Sequence, residues 1–383
     1  MIDLIQQGFA AHFGGIASFY ASPGRINLIG EHTDYNGGFV FPGAIDKGIV
    51  AAISLNGTNR VCAVAINMQN EYVEFGLEEA DEPQPHWAKY IFGVCREIIK
   101  RGGKIGGFDT VFAGDVPDGA GMSSSAALES TFAYALNDLF SLGIDKFELA
   151  KIGQATEHNY VGVKCGIMDQ FASLFGKAGN LMLLDCRSLE HKYYPFNPQG
   201  YKLVLLDTRV KHKLVDNPYN KRRESCERVA ATIRLKHPEV EFLRDASLDM
   251  LEEVKSEISS EDYMRAKYVI EEVERVMTVC AALERGDYET VGQCMYGTHE
   301  GMSKLYEVSC PELDFLNDLA RKYNVTGSRV MGGGFGGCTI NLVKDELYDN
   351  FIAGAKAEYK AQFGKEDCKV YDVVISDGAR RLD

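Results

Sequence analysis

Three stretches of this 383-residue chain concentrate side chains able to do chemistry. The first, PGRINLIGEHTDYNGG at positions 23–38, passes from an apolar strand-like run (Ile26, Leu28, Ile29) into Glu31, His32, Thr33 and Asp34. Three titratable groups and a hydroxyl at the mouth of a buried strand are out of place unless something polar meets them there.

The second is GDVPDGAGMSSSAALES, positions 114–130. A strand ends at Val116, Pro117 forces a turn, and Gly119 and Gly121 let the backbone approach a ligand. Ser123, Ser124 and Ser125 then open a helix, whose unpaired N–H groups and positive dipole end bind phosphate. The loop lacks the Gly-Lys-Ser/Thr of a Walker A motif, and Ser124 occupies the third glycine position of G-x-G-x-x-G. A plain glycine turn with serine N-caps is the competing reading, but three consecutive serines exceed what capping needs.

The third, VGVKCGIMDQFASLFG, sets Asp169 at the start of a short apolar helix. Asp169 reads equally as an N-cap or as a general base, and the two roles are compatible. Taken alone, Glu157 and His158 upstream read as a solvated helix charge and a structural histidine. In RVMGGGFGGCTINLV, Gly332–Gly334, Gly336 and Gly337 carry no charged or hydroxyl side chain among them. Backbone shaping therefore fits that run better than a second phosphate loop.

These residues must be carried by regular elements. Ile91, Val94, Ile98 and Ile99 share one face of a helix in HWAKYIFGVCREIIKRG, which Gly102 stops. A second helix follows the serines and ends before Gly143, and a third is expected from Asp145 to about Tyr160. Strand-like pieces (RINLIG, KGIVAAISL, RVCAVAINM, GFDTVFAGDV) alternate with them in the first half. A seam near residue 200 precedes a helix-rich region closed by strand–helix–strand pieces. The pattern predicts two α+β domains, residues 1–195 and 196–383, with the tail after about 375 packing back on the first.

Composition bounds the function. The formal net charge of -14, with 55 acidic and 41 basic residues, opposes a nucleic-acid or anionic-membrane surface. The first residues lack a signal-peptide pattern, and no apolar run reaches the ~18 residues of a membrane span. Ten cysteines without C-x-x-C spacing read as free thiols in a cytoplasmic protein rather than a zinc site.

Taken together, PGRINLIGEHTDYNGG, GAGMSSSAALE, VGVKCGIMDQF, YEVSCPELDFL and GGGFGGCTINLV resemble, in order and spacing, the galactokinases of the GHMP small-molecule kinase superfamily. The resemblance runs from about Gly24 to Ile375. It implies two α+β domains with the active site in the cleft between them, and phosphoryl transfer from ATP to the 1-hydroxyl of α-D-galactose. Carried over residue by residue, Arg25 and Asp169 match the catalytic pair. Glu31, His32 and Asp34, with Gly166, Asp169 and Tyr219, match the sugar site. Gly119, Ala120, Gly121, Met122 and Ser123–Ser125 match the ATP phosphate cradle, while Ser125 and Glu157 match ligands of Mg2+. Trp87, the only tryptophan, stands in a family-like HWAKY stretch that flanks the adenine; without the resemblance it reads as core.

That chemistry suits the residues. A sugar hydroxyl is a poor nucleophile, so a carboxylate within hydrogen-bond reach can take its proton as attack proceeds. Arg25, always cationic, favours the charged form of its partner and steadies charge developing on the transferred group. The expected partners are galactose and ATP, with Mg2+, acting on a monomer. A kinase for N-acetylgalactosamine, arabinose or galacturonate is the nearest alternative, although Glu31 with His32 fits a neutral C6 hydroxyl best. A non-catalytic galactose sensor is opposed by the intact serine triplet, Asp169 and Arg25. Departures from the family pattern are few: Asp118 and Met122 in the loop, and Met331 before the last glycines. Asp118 is expected to face solvent, since an inward carboxylate would repel phosphate.

Overall fold

Strand alternation explains how the first half is layered. In the strand Pro42–Leu55, Ala51 and Ile53 point to one core and Ala52 to another. In Phe108–Gly114, Phe108 and Phe112 likewise face the first core and Val111 the second. One face of the sheet is covered by the helices His86–Lys100, Ser124–Leu139, Lys146–Thr156 and Met168–Phe175. The other takes Ile5 and Phe9 of the N-terminal helix Ile2–His12. The computed structural model describes residues 1–78, 82–117, 119–211, 218–364 and 366–383. Asp118 and its expected exposure lie outside them.

Among the described residues the strands form three sheets. The largest orders Arg380–Arg381, Ser18–Asn27, Pro42–Leu55, Phe108–Gly114, Arg60–Ala65 and Glu71–Gly76, with one parallel pairing, between Arg60–Ala65 and Phe108–Gly114. A small sheet joins Phe39–Val40 to Asn180–Asp185 and His191–Pro195. The third is antiparallel throughout: Gly327–Val330, Cys338–Lys344, Tyr201–Asp207 and Lys369–Asp372. Strands up to Pro195 thus belong to the first two sheets, and those from Tyr201 to Asp372 to the third. The chain end returns: Ile375 bridges Ile45, Ser376 N donates to Ala44 O at 2.9 Å, and Arg381 pairs with Tyr20.

The two regions share a core. Leu203, Leu205, Ile340 and Leu342 on one face of the third sheet pack in one cluster with Ile26, Leu28, Ile29, Phe41, Ala120 and Met122. Burying the end of the first motif and the floor of the glycine-serine loop against the later sheet fixes both relative to it. The opposite face packs Val204, Leu206 and Val343 on Phe351, Ala355 and Tyr359 of the helix Asp345–Phe363.

Two local expectations change. The helix expected to reach Tyr160 is α-helical only to Thr156; Glu157–Val161 form a wider π turn closed by Gly162 at φ 84°. Such turns rotate side chains off the regular helical pattern, commonly at functional sites. Ser123 stands at the cap position of its helix, but in left-handed backbone (φ 57°) and without a capping bond. Among the described residues, no helix is long and apolar enough to cross a membrane.

Candidate active site

A bulge delivers Arg25. The strand Ser18–Asn27 slips register between Pro23 and Arg25, and such a bulge re-aims a side chain. A Cβ on Gly24 would lie 2.6 Å from Met122 O, so only glycine admits the glycine-serine loop backbone there. Arg25 N donates to Met122 O at 3.0 Å, and the guanidinium donates to Gly121 O. Its Nε and Nη2 donate to Asp169 Oδ1 (2.7 Å) and Oδ2 (2.9 Å), a bidentate pair with Arg25 4 % and Asp169 26 % exposed. Asp169 sits in the first turn of Met168–Phe175, but Ile167 is the cap residue and Asp169 makes no capping bond. Its carboxylate is turned instead to Arg25 and to Ser123, whose Oγ donates to Oδ2 at 2.5 Å.

The glycine-serine loop is anchored by Ala120 and Met122, both buried, while Gly119 (φ 75°) and Gly121 (φ 74°) turn the backbone over them. A Cβ on Gly121 would sit 3.0 Å from Met331 O, and one on Gly337 3.2 Å from the Ala120 carbonyl carbon. The late glycine run therefore lies backbone-to-backbone along the loop. The helix Ser124–Leu139 opens directly behind it with no side-chain cap on its first-turn amides. A helix start carried by a glycine loop in this way has the geometry that can receive an anion.

Glu31, His32, Asp34, Gly166, Asp169, Arg25 and Tyr219 all line one cavity of about 240 Å³, with Ser125 and Glu157 on its wall. That volume is below the ~300–1,000 Å³ of drug-sized pockets and suits a small polar ligand. Glu31 is 2 % exposed; its Oε1 accepts from Arg329 Nη1 at 3.0 Å and from Gly332 N at 2.8 Å. Burial opposes its ionisation, but the Arg329 and Arg25 guanidiniums and the Gly332 amide outweigh it and hold the carboxyl below its ordinary range. Burial pushes His32 down to about 4, which keeps the ring neutral. Its Nε2 faces the carbonyl of Gly333 at 3.3 Å, which can only accept. Nδ1 is then the acceptor, bonded by Tyr35 Oη at 2.7 Å, which in turn meets Tyr306 Oη at 2.8 Å. Rings of Tyr35, Tyr219 and Tyr306 enclose the imidazole.

Asp34 opens the short turn Asp34–Asn36, reached through Gly30 (φ 94°) and His32 (φ 63°). Left-handed backbone at a non-glycine residue is strained and persists where its surroundings fix it. Here Asn36 Nδ2 donates to His32 O at 2.9 Å, and Thr33 Oγ1 reaches Phe39 O at 2.6 Å. Burial, with Asp169 beside it, pushes Asp34 up to about 7. Glu157 is 6 % exposed, and burial pushes it also to about 7 despite the Ser125 hydroxyl beside it. A hydroxyl and one carboxylate next to a phosphate loop fit Mg2+, which keeps few protein ligands and draws the rest from phosphates and water.

Trp87 is placed differently from these residues. It is 8 % exposed in the first core, edge-on to Phe112, and its Nε1 donates to Glu71 at 2.7 Å. Residues the sequence left without a role also line the cavity, Tyr90, Val163, Cys165 and Met168, together with Gly332 and Gly333 of the late glycine run. Arg329, Tyr35 and Tyr306 support it from behind. An arginine inside the short strand Gly327–Val330, next to the late glycine run, was the available signal for Arg329. Tyr306 stands in the motif YEVSCPELDFL. A larger cavity, about 560 Å³, is walled by Met1, Asp46, Lys47, Asp115 and Arg380 and contains none of the residues singled out.

The chain is similar along its whole length to known proteins. The galactokinase galactose-binding signature matches residues 7–55, the GHMP kinases N terminal domain residues 89–177, and the GHMP kinases C terminal domain residues 280–360. A galactokinase of Thermotoga petrophila is 40% identical over 362 residues, covering 94% of this chain and 99% of the relative. One of Clostridium beijerinckii is 41% identical, covering 100% and 99%. The crystal structure of Lactococcus lactis galactokinase complexed with galactose superposes with a TM-score of 0.94 at 32% identity, over the whole of both chains. Methanococcus jannaschii mevalonate kinase shares the fold alone, at a TM-score of 0.60 and 18% identity. With its sugar motif, glycine-serine loop and paired arginine and aspartate on one cleft, and relatives of this identity along its whole length, the chain belongs to the galactokinase family of GHMP kinases.

Proposed function

We propose that the chain transfers the γ-phosphoryl group of ATP to the 1-hydroxyl of α-D-galactose, giving galactose 1-phosphate and ADP, through the groups gathered on this cleft. The observation that carries the proposal is the Arg25–Asp169 pair, held between the polar cavity and the phosphate loop. Galactose occupies the cavity, with Glu31, His32, Asp34, Tyr219 and the backbone at Gly166 around its hydroxyls. The ATP phosphates lie on Gly119–Ser125. As the O1–Pγ bond forms and the bond from Pγ to the bridging oxygen of ADP breaks, Asp169 takes the O1 proton. Arg25 holds Asp169 in place and opposes the negative charge spread over the transferred group. Mg2+ held by Ser125 and Glu157 would neutralise charge on the phosphates. Trp87 is assigned to the adenine on the family resemblance alone, its indole being 8 % exposed in the first core. The chain is read as two domains meeting near residue 195.

Carboxylates that accept from sugar hydroxyls discriminate strongly, because an analogue lacking the hydroxyl leaves a buried polar group unpaired. The test is ATP-dependent phosphorylation of galactose, N-acetylgalactosamine, arabinose and galacturonate. Galactose should give the highest kcat/KM; phosphorylation of none of the four would defeat the proposal. Asp169→Asn should lower kcat by about 10²-fold or more, the usual scale of a general base. Full activity in that variant would remove the base from Asp169.

A further inference from the structure

Among the described residues Arg329 is the largest fully buried side chain, 0 % exposed, and it is used by neither the proposed chemistry nor the phosphate site. An arginine taken wholly from water persists only when its donors are met. Its Nε donates to Leu28 O at 2.9 Å and its Nη2 to Asn27 O, both within the motif PGRINLIGEHTDYNGG. Its Nη1 donates to Val330 O at 2.6 Å and to Glu31 Oε1 at 3.0 Å. The same Oε1 takes the Gly332 amide at 2.8 Å. Oε1 is thus consumed by two donors from the later half of the chain. Glu31 lines the cavity, and its Oε2 makes no hydrogen bond among the described residues.

We propose that Arg329 is a positioning residue for sugar recognition: it turns Glu31 so that one oxygen is anchored inside the protein and the other is presented to a single sugar hydroxyl as an acceptor. The segment 27–31, which ends in the wall residue Glu31, is thereby held by a strand some 300 residues later, and the two halves must be docked before the sugar site exists. An ionised, anchored Glu31 reads a hydroxyl donor and repels a sugar carboxylate, so Arg329 also bears on selection against acidic sugars. This inference rests on the proposed galactose reading of the cavity and adds the residue that determines how Glu31 acts in it.

The experiment compares wild type, Arg329→Lys, Arg329→Met, Glu31→Gln and the double variant Arg329→Met/Glu31→Gln. The substrates are galactose and its 2-, 3-, 4- and 6-deoxy analogues, with galactose binding measured in parallel by calorimetry. The Arg329 variants should raise the galactose KM about tenfold or more with the ATP KM within about twofold, as loss of one charge-assisted contact predicts. Wild type should penalise one deoxy analogue far more than the others, and that penalty should shrink in the Arg329 variants and in Glu31→Gln alike. The double variant should be no worse than the weaker single variant, since both remove the same contact. A purely structural arginine would weaken all analogues evenly and additively, which overturns the proposal. Glu31→Gln leaves three carbonyl partners on Arg329, so it reads the pair even if the Arg329 variants fail to accumulate; a wild-type deoxy profile in that variant also overturns it. Galactose bound but not phosphorylated by wild type would defeat the catalytic proposal and leave the calorimetric comparison to decide this one.

Discussion

The carboxylate of Asp34 occupies the space a side chain on Gly166 would need: a Cβ built there falls inside the van der Waals shell of Asp34 Oδ2, Cγ and Cβ. Position 166 must therefore be glycine for Asp34 to lie on the cavity wall. Gly166→Ala would force the Asp34 carboxylate away at a cost of about 1–3 kcal/mol, the usual range for overpacking. Galactose KM should rise by about tenfold or more, with the ATP KM little changed. An unaltered galactose KM would show that Asp34 does not touch the sugar.

Ser123 separates two roles that its position alone leaves together. Its hydroxyl is bonded to the Asp169 carboxylate, although it stands in the phosphate loop. If it steadies Asp169, Ser123→Ala should lower kcat by up to about tenfold, one ordinary hydrogen bond, and leave the ATP KM unchanged. A rise in ATP KM at constant kcat would instead place the hydroxyl on the phosphates.

Stability of the ligand-free protein should depend on pH through Asp34. Its folded value, about 7, lies above the ordinary 3.8, so the folded state binds the proton more tightly. The stabilisation is full below about 4, is lost as pH rises towards 7, and stays lost above it. His32 works the other way: its folded value, about 4, lies below 6.5, so its contribution is full above 6.5 and lost as pH falls towards 4. Asp34→Asn isolates the first effect. The melting temperature of wild type minus that of Asp34→Asn should fall between pH 5 and 7 and then level off, and a flat difference would contradict the assignment.

Glu157→Gln tests the magnesium pair. With a carboxylate replaced by an amide beside Ser125, the Mg2+ concentration for half-maximal activity should rise, by about tenfold or more if the ligation is direct. An unchanged magnesium requirement would place the ion elsewhere.

Much of the cleft is legible in the chain because its chemistry is local. The glycine-serine loop declares itself by glycines that turn and serines that open a helix, and the α+β alternation follows from hydrophobic periodicity. Glu31, His32 and Asp34 stand within four residues of one another, so any turn that brings one to the cavity brings all three. What the sequence leaves open is what each side chain does there. Asp169 reads equally as cap or base until Arg25, 144 residues earlier, is seen to hold both its oxygens. Ser123 reads as a cap until its backbone is found left-handed and its hydroxyl bonded to that same carboxylate. The tautomer of His32 depends on Gly333 O and Tyr35, and the orientation of Glu31 on Arg329. The sequence by itself determined most element types, the glycine-serine turn into a helix and the family, because these follow from local backbone preference and from motifs read in order. Only the tertiary structure decided which oxygen of Glu31 is anchored, because a hydrogen bond exists only where donor and acceptor meet within about 3 Å, and Arg329 and Gly332 lie some 300 residues from it.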